Sequence, residues 1–161
     1  MDRGDGDPAE IDEWARHLAD GVEAALPGWV TTAVARIMQA WVGTVPAEVA
    51  GAAAEAGARA RAETGSAVRA LLLFDVDEQQ TTPLALLRAA VRYPTAVLRE
   101  AGVPPVERDS FAEQAFPDDV YGLAPASFAD LDPDLAEAGI AWGAAKAFEH
   151  RRRHRTPPAD P

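Results

Sequence analysis

The chain has 161 residues, a formal net charge of −11 and no cysteine. The missing thiols exclude a disulfide framework, a thiolate nucleophile and cysteine-ligated zinc. The negative charge argues against non-specific binding to nucleic acid or an anionic membrane.

Ala, the best helix former, dominates, and strand-type alternation of β-branched and aromatic residues is nearly absent. The predicted class is therefore all-α, a single-domain bundle of about five helices. The expected organisation is a disordered N-terminus over residues 1–6, a helical domain over 7–150 and a basic, Pro-rich tail over 151–161. No apolar run approaches the ~20 residues of a membrane helix. The acidic start is unlike a signal peptide, so the expected location is the cytoplasm.

Asp7-Pro8 reads as the cap of a first helix with Ile11, Trp14, Leu18, Val22 and Ala25 on its apolar stripe. Pro27-Gly28 is expected to end it, and a second helix follows over Trp29–Val42 with Val30, Val34, Ile37 and Trp41 on one face. His17 sits on the shoulder of the first stripe and reads as a boundary residue. Thr44-Val45-Pro46 opens a third helix, expected to run to about Val76. Its seam, Val49, Ala53, Ala56, Ala60, Ala67, Leu71 and Phe74, is mostly alanine and buries little area. Gly51, Gly57 and Gly65 each weaken it by ~1 kcal/mol relative to Ala. The alanine part of this helix is thus expected to be mobile or partner-dependent, whereas Val68 to Phe74 is expected to be firmly core; a second copy of the chain is one candidate partner for the helix over 46–76.

Residues 70–105 carry the densest aliphatic clusters and read as an αα-hairpin. Thr82-Pro83 is a helix start, and Leu84, Leu87, Val91, Leu98 and Ala101 recur on one face. Pro94 predicts a kink or break near Arg92-Tyr93, because its ring clashes with the carbonyl of Ala90. Gly102 suits a left-handed helix end, before Pro104-Pro105. The expected core is Leu71, Leu72, Phe74, Leu84, Leu87, Val91, Leu98 and Trp142.

Residues 106–134 interleave Phe111, Phe116, Tyr121 and Phe128 with six aspartates. They predict an ordered but irregular connector pinned by Phe116, Tyr121 and Phe128, with a capping box at Ser110 and Glu113. Asp132-Pro133 starts a last helix through Leu135, Ala138, Trp142 and Ala145 to about His150; Gly139 and Gly143 would let another helix approach Trp142. Residues 151–161 hold four arginines and one aspartate, +3, which leaves −14 for residues 1–150. That imbalance favours a helix-end and solubility role for Arg151–Arg155 over a nucleic-acid arm.

The segments FDVDEQQTTPLALLR, RYPTAVLREAGVPP, FPDDVYGLAPASF and WGAAKAF, between about Leu71 and Phe148, resemble a family of small, uncharacterised actinobacterial proteins. The resemblance covers about half the chain. It brings no activity, cofactor or site, and implies only that the C-terminal half is the shared unit.

No residue pattern carries recognisable chemistry. The chain lacks G-x-S-x-G, G-x-G-x-x-G, a P-loop and paired Glu-x-x-His, and its only histidines are His17, His150 and His154. Three carboxylate groups raise a metal reading: Asp75/Asp77/Glu78, Asp118/Asp119 and Asp130/Asp132/Asp134. None matches an EF-hand, and each adjoins a predicted helix end, where capping explains Asp118 and Asp132. Arg88 and Arg92, four apart, can hold an anion or a partner carboxylate together, with Tyr93 beside them and Lys146 on the last helix. The first reading is a non-enzymatic, cytoplasmic protein working through protein–protein interaction, its acidic surface drawing a basic partner, with no cofactor. The second is a small enzyme or divalent-metal-binding domain using Asp118 and Asp119 near Tyr121.

Overall fold

Leu18, Val22, Leu26, Val30, Val34 and Met38 follow one another at four-residue intervals, and all are buried. They form the inner stripe of a single helix, α1 (Pro8–Val42), in the computed structural model, which describes residues 8–74 and 82–154. The expected break at Pro27-Gly28 does not occur. Pro27 removes the bond to the Glu23 carbonyl, at a cost of ~3 kcal/mol. Leu26 and Val30 on either side are fully buried, and each such side chain returns ~1.5–3 kcal/mol. The two stripes read as separate helices share one phase, so continuing the helix buries both.

Next come α2 (Ala47–Ala60), a π-helical turn (Arg61–Gly65) and α3 (Ser66–Phe74), joined end to end as one rod. Ala53, Ala56 and Ala60 are buried as expected, with Gly57 beside them, but within the π turn the buried positions are Thr64 and Gly65, and beyond it Val68 and Leu72. Ala67 and Leu71, predicted on the seam, are only half-buried. A π turn takes up one extra residue and rotates the following helix by about one position, which the periodicity of α2 alone cannot foretell. The alanine seam packs against α1 and α5 of the same chain, so its buried face is not available to a second copy. Arg69 ties the rod to α1, donating to Asp20 at 2.5 Å and to Glu23 at 2.8 Å.

The hairpin is broken where Pro94 requires it. α4 (Thr82–Ala89) and α5 (Arg92–Glu100) meet at a turn over Ala90-Val91. There the Ala90 carbonyl accepts from Tyr93 N–H at 3.1 Å in place of the missing Pro94 donor. Gly102 has φ +81°. It closes α5 by donating to Arg99 O at 3.0 Å while Val103 N–H reaches Leu98 O at 3.0 Å, a Schellman end.

The connector contains α6 (Ser110–Ala115) and two 3₁₀ turns, Phe128–Asp130 and Pro133–Leu135. Asp109, not Ser110, caps α6, accepting from Ala112 N–H at 2.7 Å. Tyr121 and Phe128 are buried anchors, but Phe116 is 38% exposed and Phe111 76% exposed; Leu123, Leu131 and Leu135 are buried as well. Asp132 caps the second 3₁₀ turn through Asp134 N–H at 3.0 Å. That turn leads into α7 (Ala136–His154), which runs past the expected end at His150.

The molecule is an all-α bundle of five principal bodies, α1, the α2–α3 rod, α4, α5 and α7, with no strand among the described residues. Its axis is α1, which packs on α2, α3, α5, α7 and the π turn. Of the expected core, Leu72, Leu87, Val91, Leu98 and Trp142 are buried, while Leu71 and Leu84 are half-buried. No described helix is long and apolar enough to cross a membrane. Residues 1–6, the cap at Asp7, Asp75, Asp77, Glu78, tail residues 155–161, and the side chains of Phe74 and Thr82 lie outside the described residues.

Candidate functional sites

α5 is amphipathic. Tyr93, Pro94, Val97 and Leu98 turn inward, while Arg92, Ala96 and Arg99 turn out. Opposite them lies the end of α6, and between the two runs a cleft of about 490 Å³. Arg88, Arg92 and Arg99 line it from one side, Phe116, Pro117 and Asp118 from the other, with Val91, Thr95 and Asp119 also in its lining. Arg88 lies over the Phe116 ring, 5.9 Å from its centroid. Arg92 stacks on Tyr93 at 4.9 Å and donates to its hydroxyl at 2.9 Å. The Tyr93 hydroxyl donates in turn to Glu63 in the π turn, which also lies 3.7 Å from Arg92. The hydrogen bond to Tyr93 raises the pKa of Arg92 above the ordinary arginine value. The Thr95 hydroxyl is buried without a hydrogen-bond partner.

The structure thus brings Arg88, Arg92, Asp118 and Asp119 to one cleft, with Tyr93 beneath Arg92. Asp119 is held by the backbone: its carboxylate accepts from Leu123 N–H at 2.6 Å and Ala124 N–H at 3.0 Å. Tyr121 donates to Val103 O at 2.7 Å and is buried; burial pushes its phenol pKa above 10.0. These bonds make both residues fasteners of the connector. Asp130 behaves alike, accepting from Ala126 and Ser127 N–H groups at 2.7 and 3.1 Å. Among the described residues no group of three or more His, Asp or Glu is placed to hold a metal ion. Lys146 is buried on α7 and does not line the cleft. His17 is exposed, edge-on to Trp14 at 6.2 Å. Sequence reasoning missed Arg99 and Thr95, although Arg99 lies seven residues beyond Arg92, a helical repeat of the same face.

A second concavity, about 350 Å³ and chiefly apolar, lies where α7 crosses α4 and the first 3₁₀ turn. Leu84, Phe128, Ile140, Trp142 and Gly143 line it. Phe128 meets Trp142 edge to face at 6.5 Å. Gly139 makes room for that ring, since a Cβ there would stand 3.0 Å from Phe128 Cδ2. A Cβ at Gly143 would meet nothing within 4 Å. Gly139 is therefore filled by a ring rather than a helix, and Gly143 opens on the groove. Ile140 is 74% exposed at this groove, and Trp142 Nε1 is buried with no acceptor.

Comparison with known proteins found no matching family model, and no match among curated proteins or solved structures.

Proposed function

We propose that this is a non-enzymatic, cytoplasmic binding domain, an adaptor or regulator that works by protein–protein interaction through the α7 groove. The observation that carries the reading is Ile140, a large aliphatic side chain 74% exposed at the edge of an open apolar groove. Exposed apolar side chains are unremarkable singly, but one that continues a concave apolar surface marks a contact site. Asp130 and Glu137 are exposed on the segments that form the groove. The occupant is therefore a partner segment with a bulky apolar residue flanked by Lys or Arg, the basic partner that a chain of net charge −11 attracts. Both concavities lie inside residues 71–148, so the portion resembling the actinobacterial family is taken as the working unit.

Selection from a random peptide library, followed by calorimetry on the winners, tests this reading. The expected winners carry an apolar residue between basic ones and lose at least about tenfold in affinity, ~1.4 kcal/mol, against Ile140→Asp. That position is exposed, so the variant should fold. Winners that are acidic, or that bind Ile140→Asp as well as the parent, would overturn the proposal.

A further inference from the structure

We propose that the cleft between α5 and the end of α6, distinct from the α7 groove, is a site for a small phosphorylated, hydroxyl-bearing molecule. The chain carries 26 acidic residues against 15 lysines and arginines, yet Arg88, Arg92 and Arg99 line a single cleft. Among the described residues the salt bridges of arginine belong to Arg69 and Arg92 alone. Arg88 and Arg99 have no carboxylate partner there. Like charges gathered in one concavity repel one another, and an anion between them removes that repulsion.

The donor set favours phosphate over carboxylate. Arg88 and Arg99, each able to present a two-pronged fork, together with the edge of Arg92 not engaged by Tyr93 and Glu63, offer more donors than the two oxygens of a carboxylate accept, whereas a phosphate monoester presents three terminal oxygens. Thr95 adds a hydroxyl that is 97% buried by its residue exposure of 3%, lines the cleft and lacks a partner. A ligand oxygen reaching it would satisfy a group otherwise left unpaired.

Size and the far wall define the rest of the ligand. At about 490 Å³ the cleft exceeds what one phosphate fills and falls within the range of small-molecule sites. The Phe116 ring, held by Arg88, gives an apolar face for the ligand body. Asp118 is exposed at that wall and repels a second anionic group, but accepts a hydrogen bond from a hydroxyl. Asp119 is less open to a ligand than Asp118, because it is buried and each of its oxygens already accepts a backbone N–H group.

Calorimetric titration of the full chain at constant ionic strength tests the assignment, with ribose 5-phosphate, inorganic phosphate, ribose and citrate as probes. Constant ionic strength removes simple screening as an explanation. Saturable binding is expected in the order ribose 5-phosphate, then inorganic phosphate, with citrate weaker and ribose silent. Arg88→Gln combined with Arg99→Gln should weaken ribose 5-phosphate by at least tenfold, and Thr95→Val by a smaller factor; Arg99→Gln alone replaces the pair should the double variant misfold. Amide shifts on titration should concentrate at residues 88–99 and 115–119. Ile140→Asp should leave this binding unchanged, which separates the two sites. No saturable phosphate binding, citrate binding more tightly than ribose 5-phosphate, or full binding by a folded arginine variant would each overturn the proposal.

Discussion

Arg69 shows how a single side chain can hold two helices in register. Its guanidinium reaches Glu23 through Nε at 2.8 Å and through a second nitrogen at 3.1 Å, and that second nitrogen also meets Asp20. The Arg69 hydrogen bond, together with its charge, holds the Glu23 carboxyl below its ordinary value of 4.5, against a smaller opposing effect of burial. A depressed folded pKa adds stability that is present above the unfolded value and lost as the pH falls through the folded one. Glu23→Gln should therefore lower stability by about 1 kcal/mol at neutral pH, the scale of a partly exposed bidentate pair. In urea unfolding that deficit should shrink as the pH is taken below 4.5. A deficit independent of pH would mean that the charge of Glu23 does not account for the loss, because Gln keeps the same stem beside Gly65, where a Cβ would stand 2.8 Å from Glu23 Cγ.

Between elements, small residues decide how closely helices approach. A Cβ on Gly57 would lie 3.0 Å from both Cα and the carbonyl oxygen of Pro27, backbone atoms that move only with the whole of α1. Gly51, on the same helix, faces open space. Helix propensity alone favours alanine at both positions by ~1 kcal/mol. Gly51→Ala should realise that gain, whereas Gly57→Ala should cost ~1–3 kcal/mol by forcing α1 and α2 apart. Equal stabilisation by both, read from thermal unfolding, would show that the two helices are looser than described. The same crossing explains what the sequence alone conveyed and withheld. Helix-forming composition, the Pro94 break and the Gly102 end depend on local sterics, so they were legible. The continuity of α1 through Pro27 depends on burial from both sides, and the shift from Ala67 and Leu71 to Val68 and Leu72 depends on the π turn. Neither is a property of its own segment. At the cleft, Arg88 and Arg92 were visible as a helical pair. The wall opposite them, from Phe116 to Asp119, is placed by the connector, and its position follows only from tertiary contacts such as Tyr121 to Val103.

For the whole molecule, the arrangement of contacts predicts where stability resides. The densest aliphatic sequence lies in residues 70–105, but α1 is the element that packs on α2, α3, α5, α7 and the π turn. Leu18, Val22, Leu26, Val30 and Val34 are all fully buried. Helices packed mainly on one neighbour can open locally, whereas an axis that touches most of the other elements opens only when they come apart. The slowest amide exchange should therefore fall in the middle of α1, about residues 18–34, with free energies equal to that of global unfolding. Exchange in α4 and α7 should occur at lower free energies, because each meets fewer partners. Leu26→Ala, at the centre of the axis, should cost ~2–5 kcal/mol and speed exchange throughout the bundle. Leu84→Ala, at a half-buried site on α4, should cost less and act locally. If the most protected amides lay in α4 and α5 instead, the hairpin would be the folding core and α1 a later addition to it.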